Sequence, residues 1–174
     1  MHADDDTRRD VELPDEAATR ALGAALAELF PQDPRPAAVI YLEGDLGAGK
    51  TTLVRGLLQK LCTGITAKSP TFTLVEPYVI SGLHLYHFDF YRFNFPEEFL
   101  DAGLDEYFAN AGVCLVEWPD KAAPYLPPPD LEIRFEYAGA GRRARISAKN
   151  ERGRQWLKSL APGGVSFCVR ACPS

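Results

Sequence analysis

The sequence has little sulfur and no long apolar run. It contains 174 residues with one Met and four Cys. No stretch approaches the eighteen or so uncharged apolar residues that a membrane-spanning helix needs. The first residues, Met1-His2-Ala3-Asp4-Asp5-Asp6, are acidic and lack the apolar centre of a secretory signal. The expectation is a soluble, cytoplasmic chain with no membrane partner. Cysteines at 62, 114, 168 and 172 form no C-x-x-C pair, and neither His84 nor His87 has a cysteine nearby in sequence. This argues against a zinc site, and Cys62 and Cys114 are expected to be buried thiols. A net charge of −5 argues against unaided binding to nucleic acid, because phosphate contacts need a basic surface.

What is present is ordinary globular material: 46% hydrophobic and 25% charged residues, enough for one domain and short of two. Residues 1–9 are expected to be a disordered leader, 10–160 a single domain, and 161–174, with Pro162-Gly163-Gly164, a mobile tail. Charge is uneven. Residues 1–30 carry eight acids against three bases, and residues 131–160 carry eight bases against three acids. The basic stretch is either a solvated face or a contact for phosphate, RNA or an acidic partner, and composition favours the solvated face.

Arg9 to Leu13 reads as a short strand. Pro14-Asp15-Glu16 then opens a helix whose apolar residues Ala18, Leu22, Ala25, Leu26 and Leu29 follow helical spacing. Ala37 to Leu42 is a near-continuous apolar run, as in a strand buried on both faces. A glycine-rich turn follows, then a helix over Thr51 to Leu61. Strand, glycine loop and helix in that order imply a parallel α/β sheet. Thr71 to Ile80 and Leu83 to Phe90 are β-rich around Ser81-Gly82, and Val113 to Val116 is another short buried strand. Short helices are expected after Pro96 and over Asp105 to Asn110. Leu131 to Tyr137 and Arg143 to Ala148 form a hairpin around Gly139-Ala140-Gly141, and Glu151 to Leu160 is a last helix.

The glycine turn carries the chemistry. Gly44-Asp45-Leu46-Gly47-Ala48-Gly49-Lys50-Thr51 matches G-x-x-x-x-G-K-[ST] at every fixed position, between a buried strand and a helix as that motif requires. Its glycines let main-chain amides approach phosphate oxygens, and the helix adds its positive end. Lys50 would neutralise the β- and γ-phosphates, Thr51 would offer its hydroxyl to Mg²⁺, and Thr52 would reach the α-phosphate. Such a loop needs an acid on a neighbouring strand. Asp89 and Glu117 each end a β-rich run, where α/β sheets place their ligands. Thr71, in Lys68-Ser69-Pro70-Thr71-Phe72-Thr73, lies where related proteins keep a switch loop, and it is either within reach of Mg²⁺ or the γ-phosphate or part of a turn with satisfied hydroxyls. Arg92 is either an in-cis arginine donor or one half of a salt bridge, and Trp118 is either core or a group that senses nucleotide. The chain contains neither D-x-x-G nor [NT]-K-x-D, which leaves ATP ahead of GTP.

These strings together resemble the bacterial TsaE (YjeE) family. The phosphate loop does so, as do Ser69 to Tyr78, His87-Phe88-Asp89-Phe90-Tyr91-Arg92 and Leu115-Val116-Glu117-Trp118-Pro119, in the family's order and spacing. The likeness runs from about Leu13 to Arg145. The resemblance implies a P-loop NTPase fold with a mostly parallel central sheet flanked by helices and a C-terminal β-hairpin. It implies a small Mg²⁺-dependent ATPase, slow alone, that works with TsaB–TsaD in making threonylcarbamoyladenosine next to the tRNA anticodon. ATP hydrolysis is understood to reset that complex between turnovers, and tRNA is met through the complex. Carried over by motif, Asp45, Leu46, Gly47, Ala48, Gly49, Lys50, Thr51 and Thr52 bind nucleotide, while Thr51 and Glu117 hold the metal. Asp89 is the Walker-B-like acid, assigned either to activating the water or to supporting the metal ligands from behind; Thr71 is assigned to the switch-like loop, and Asp15, with Arg142, to the region of the base. Two alternatives stand beside this: a nucleotide-dependent scaffold with negligible hydrolysis, and a P-loop small-molecule kinase.

Overall fold

The computed structural model describes residues 6–160. The tail expected over 161–174 and the first five residues of the leader lie outside the described residues. The chain runs β1 (Arg8–Leu13), α1 (Glu16–Ala27), β2 (Ala38–Glu43), α2 (Lys50–Leu61), β3 (Val75–Ile80), β4 (Leu83–Asp89), α3 (Glu98–Asp101), α4 (Asp105–Ala109), β5 (Val113–Glu117), β6 (Leu131–Ala138), β7 (Gly141–Ala148) and α5 (Glu151–Ser159). Arg8 and Arg9, read from sequence as the end of a disordered leader, belong to β1, because their backbone pairs with Ser147 and Ile146 of β7.

The strands form one sheet in the order β1-β7-β6-β2-β5-β4-β3. The expectation of a mostly parallel sheet needs correction. The three pairings at the centre, β6–β2, β2–β5 and β5–β4, are parallel, while β1–β7, β7–β6 and β4–β3 are antiparallel. Hairpin connections make β3–β4 and β6–β7 antiparallel, β1 joins β7 antiparallel from the far end of the described chain, and longer crossover connections keep the centre parallel. The C-terminal hairpin is thus part of the same sheet, with Gly139-Ala140 as its two-residue turn.

Alternation along the central strands sorts the core into two layers. Ile40, Leu42, Leu85, Leu115 and Ile133 pack under α1, α2 and α5 with Leu26, Leu53, Leu57 and Trp156. Val39, Phe88, Cys114 and Val116 face the other way, into an aromatic layer of Phe90, Phe93, Phe99, Tyr107 and Phe108. Cys114 is buried as expected, whereas Cys62, just beyond α2, is half-buried.

Helices α1 and α2 cross at two glycines. A Cβ on Gly23 would lie 2.1 Å from the Leu53 carbonyl oxygen, and one on Gly56 would lie 2.2 Å from that of Arg20. Only hydrogen fits at either crossing, so the helices approach to backbone contact. This brings the N-terminus of α1 beside the loop that starts α2. The two longer connections also matter. Leu74 N–H bonds to the Pro70 carbonyl at 2.9 Å and Leu74 has φ of 66°, so β3 starts at Val75 and not at Thr71.

Candidate functional site

The site lies where three parallel strands end side by side. Leu42 of β2 pairs with Glu117 of β5, and Glu117 pairs with Asp89 of β4. The phosphate loop leaves β2 at Gly44 and enters α2 at Lys50. Gly44, Gly47 and Gly49 have φ of 141°, 77° and 116°. Those values lie in the region that disfavours side chains, which accounts for glycine at these places. Thr51 and Thr52 are half-buried in the first turn of α2.

Lys50 is 4% exposed. Its Nζ donates to the Gly44 carbonyl and to that of Asp45 at 3.4 Å, and lies 4.0 Å from the centre of the Trp118 ring. It makes no ion pair among the described residues. Burial pushes the ammonium below its usual range, while Glu117, Asp89, Asp45 and Asp120 pull it back. A positive charge held by carbonyls and a ring face, with carboxylates nearby and none in contact, is set to receive an anion. Trp118 is held there by a left-handed backbone, φ 56°, in the turn after β5, and its ring lies 5.1 Å from that of Tyr91. Trp118 is thus half-buried beside the loop lysine.

Glu117 is 3% exposed, and its Oε2 lies 2.6 Å from Nε2 of His87. Asp89 accepts a bond from Tyr91 N–H at 2.9 Å, and burial pushes its carboxyl up. Among the described residues no cluster of three or more His, Cys, Asp or Glu could hold a metal alone. Mg²⁺ in phosphate sites takes one or two protein oxygens and completes its shell with phosphate and water. The hydroxyl of Thr51 and the carboxylate of Glu117 fit that requirement as hard oxygen donors.

Beside the loop lies a cavity of about 350 Å³ lined by residues that include Asp15, Thr19, Gly47, Thr52, Arg55 and Arg142. Asp15 and Arg142 thus line the same cavity. Asp15 has a second task, since its Oδ1 caps α1 by accepting from Ala18 N–H at 2.8 Å. Arg142 is fixed within β7, where its guanidinium lies 4.2 Å from the Tyr137 ring and donates to the Gly47 carbonyl at 3.4 Å. Tyr137 O–H bonds to the Leu46 carbonyl at 3.1 Å. The hairpin therefore holds the tip of the phosphate loop from the side, a role the spacing did not suggest.

Thr71 is not brought to the loop by any contact. Its hydroxyl shares a bond of 2.6 Å with Ser69, and it lines a second cavity of about 390 Å³ with Phe72, Leu74, Arg92, Phe93 and Glu98. Arg92 is in no salt bridge among the described residues. Its guanidinium sits 4.2 Å from the ring of Phe72, which is itself 80% exposed. Sequence reasoning missed His87, Tyr137 and Arg55 as site residues. For His87 a signal existed: it lies two residues before Asp89 on one strand, so both side chains face the same side.

A protein-family description, "Threonylcarbamoyl adenosine biosynthesis protein TsaE", matches residues 13–145. The chain belongs to the TsaE family. A "tRNA threonylcarbamoyladenosine biosynthesis protein TsaE" of Haemophilus influenzae is 39% identical over 150 residues, 86% of this chain and 95% of that one. The Bacillus subtilis protein of the same name is 45% identical over 115 residues, 66% of this chain and 72% of its own length. The crystal structure of YdiB from Bacillus subtilis superposes with a TM-score of 0.72 at 36% identity, covering 88% of this chain and 93% of that one. The family match spans every site segment described above, from the first turn of α1 through Arg142. No described helix is long and apolar enough to cross a membrane.

Proposed function

We propose that this protein is a Mg²⁺-dependent ATPase of tRNA threonylcarbamoyladenosine biosynthesis, acting in the cytoplasm with TsaB–TsaD to reset that complex between turnovers. The observation that carries the reading is Lys50, a buried cation without an ion pair among the described residues, at the mouth of a complete phosphate loop and beside the buried Glu117. The loop amides and the start of α2 bind the phosphates of ATP, and Lys50 exchanges the Gly44 carbonyl for a γ-phosphate oxygen. Thr51 and Glu117 would hold Mg²⁺, which would supply neutralisation of the phosphate charge. Asp89 orients the attacking water, and its raised carboxyl suits it to take up that proton as ADP and phosphate form. The cavity lined by Asp15 and Arg142 takes the nucleoside.

No arginine among the described residues contacts Lys50 or Glu117, and Arg92 is occupied on Phe72. A phosphoryl-transfer site without a placed arginine is slow by several orders of magnitude. This supports completion by the partner complex, with tRNA met through that complex.

The test is ATP turnover by the purified protein, alone and with TsaB–TsaD, with Lys50→Ala as control. Strong stimulation that the mutant loses is the expected result. ATP binding with no stimulation, and complementation by a hydrolysis-dead Glu117→Ala, would replace this reading with the scaffold.

A further inference from the structure

One buried polar atom is left over. His87 is 1% exposed, and its Nδ1 is the only buried side-chain nitrogen or oxygen among the described residues with no hydrogen-bond partner. Interiors rarely keep such an atom, because apolar residues of similar shape would fill the place at no polar cost. The other ring nitrogen explains the retention. Nε2 lies 2.6 Å from Oε2 of Glu117, thirty residues away in sequence.

The strand register makes this contact rigid. His87 is opposite Leu115 and Asp89 is opposite Glu117 in the parallel β4–β5 pair. Two residues per repeat then put His87, Asp89 and Glu117 on one side of the sheet. The imidazole reaches diagonally along that side to the Glu117 carboxylate. In the tautomer this contact needs, Nε2–H donates and Nδ1 is the bare acceptor. Oε1 of Glu117 has no hydrogen bond among the described residues. One carboxylate oxygen is therefore held and the other left available, which defines a ligand that binds through a single oxygen.

We propose that His87 is a positioning residue: by holding Oε2 of Glu117 it fixes which oxygen, in which direction, that carboxylate offers to the divalent cation. Hydrogen bonds to a ligating carboxylate commonly change metal affinity about 10- to 100-fold. The inference rests on the reading of Glu117 as a metal ligand given above.

The test uses Mn²⁺ in place of Mg²⁺, titrated by electron paramagnetic resonance into the full chain with a non-hydrolysable ATP analogue. His87→Gln places a side-chain N–H at about the reach of Nε2, whereas His87→Asn, also polar, falls short of Glu117. The expected result is Mn²⁺ affinity weakened about tenfold or more in His87→Asn and restored to within about threefold of wild type in His87→Gln. Nucleotide affinity in EDTA is expected to stay the same in both. Wild-type Mn²⁺ affinity in both variants would overturn the proposal, leaving His87 as core. Equal weakening in both variants, together with lost nucleotide affinity in EDTA, would also overturn it, since packing would then be the cause. Glu117→Gln separates the two layers of argument. If it leaves Mn²⁺ affinity unchanged, the metal reading of Glu117 fails, and the role of His87 falls with it. If it weakens Mn²⁺ while His87→Asn does not, only the role of His87 fails.

Discussion

Two regions of one sheet carry charge in opposite ways. Along β1, β7 and β6 the side chains form an exposed ladder in which acids and bases satisfy each other. Arg143 meets Glu12 at 2.7 Å, Arg145 meets Asp10 at 3.3 Å and Glu136 at 3.6 Å, Arg134 meets Glu43 at 2.9 Å, and Lys149 meets Glu132 at 2.6 Å. Asp10 and Glu12 of β1 thus lie against Arg145 and Arg143 of β7. At the tips of β2, β5 and β4 the charges are drawn away from water: Lys50 rests on carbonyls and a ring, Glu117 is held by His87, and burial pushes the Asp89 carboxyl up. Most charges on the flank are matched by a neighbour of opposite sign, whereas Lys50 at the centre is not, among the described residues. Counting charges in sequence points to the wrong place, because it is the unpaired charge that matters. Arg142 proves the rule from within the basic stretch. Among the described residues it has no carboxylate partner, and its guanidinium donates to the phosphate loop.

The contrast can be broken at the centre first. Lys50→Ala is expected to lower ATP turnover by about 100-fold or more, as loss of a transition-state charge donor does. Phosphate release measures it, and an unchanged melting temperature would show that the buried cation serves the ligand and not the fold. Next in size is the helix crossing. Gly56→Ala puts a methyl group against the Arg20 backbone, and the overpacking is expected to cost about 1–3 kcal/mol in urea denaturation. Nucleotide affinity should fall with it, since α1 carries one wall of the cavity beside the loop.

The flank supplies the counter-test. Exchanging the pair by Glu12→Arg with Arg143→Glu should change stability by less than about 0.5 kcal/mol, because both groups are largely exposed. Turnover should stay the same. A tenfold fall in turnover would make the ladder part of the site and end the comparison. The smallest effect concerns the core between the regions. Burial pushes the Cys114 thiol well up, so it should resist alkylation at mildly alkaline pH until the chain is unfolded, as peptide mapping by mass spectrometry would show.

Much of the centre was legible beforehand. The apolar run of β2, the glycine pattern and Lys50-Thr51-Thr52 are contiguous, and phosphate binding by backbone amides needs a local conformation that local residues specify. Asp89 and Glu117 were legible as the first polar residues after buried runs. Other features were not. Thr71 was read as near the phosphates, yet the turn from Pro70 to Leu74 directs it to a separate cavity. The sheet was expected to be mostly parallel because one β-loop-α unit dominates the reading. The antiparallel flanks depend on which strands become neighbours, and no local pattern encodes that.

The sequence by itself determined that a phosphate-loop motif exists, which lysine and threonines it carries, and the kind of domain that holds it. Only the tertiary structure decided how the remaining charges were disposed. It paired β1 with β7 and so cancelled the two charged stretches. It set Trp118 under Lys50 and laid His87 against Glu117. It closed α1 on α2 through two glycines. The physical reason is range: a phosphate loop is made by neighbours along the chain, whereas compensation of a charge depends on what lies within a few ångströms in space, and here those partners are from thirty to more than a hundred residues apart.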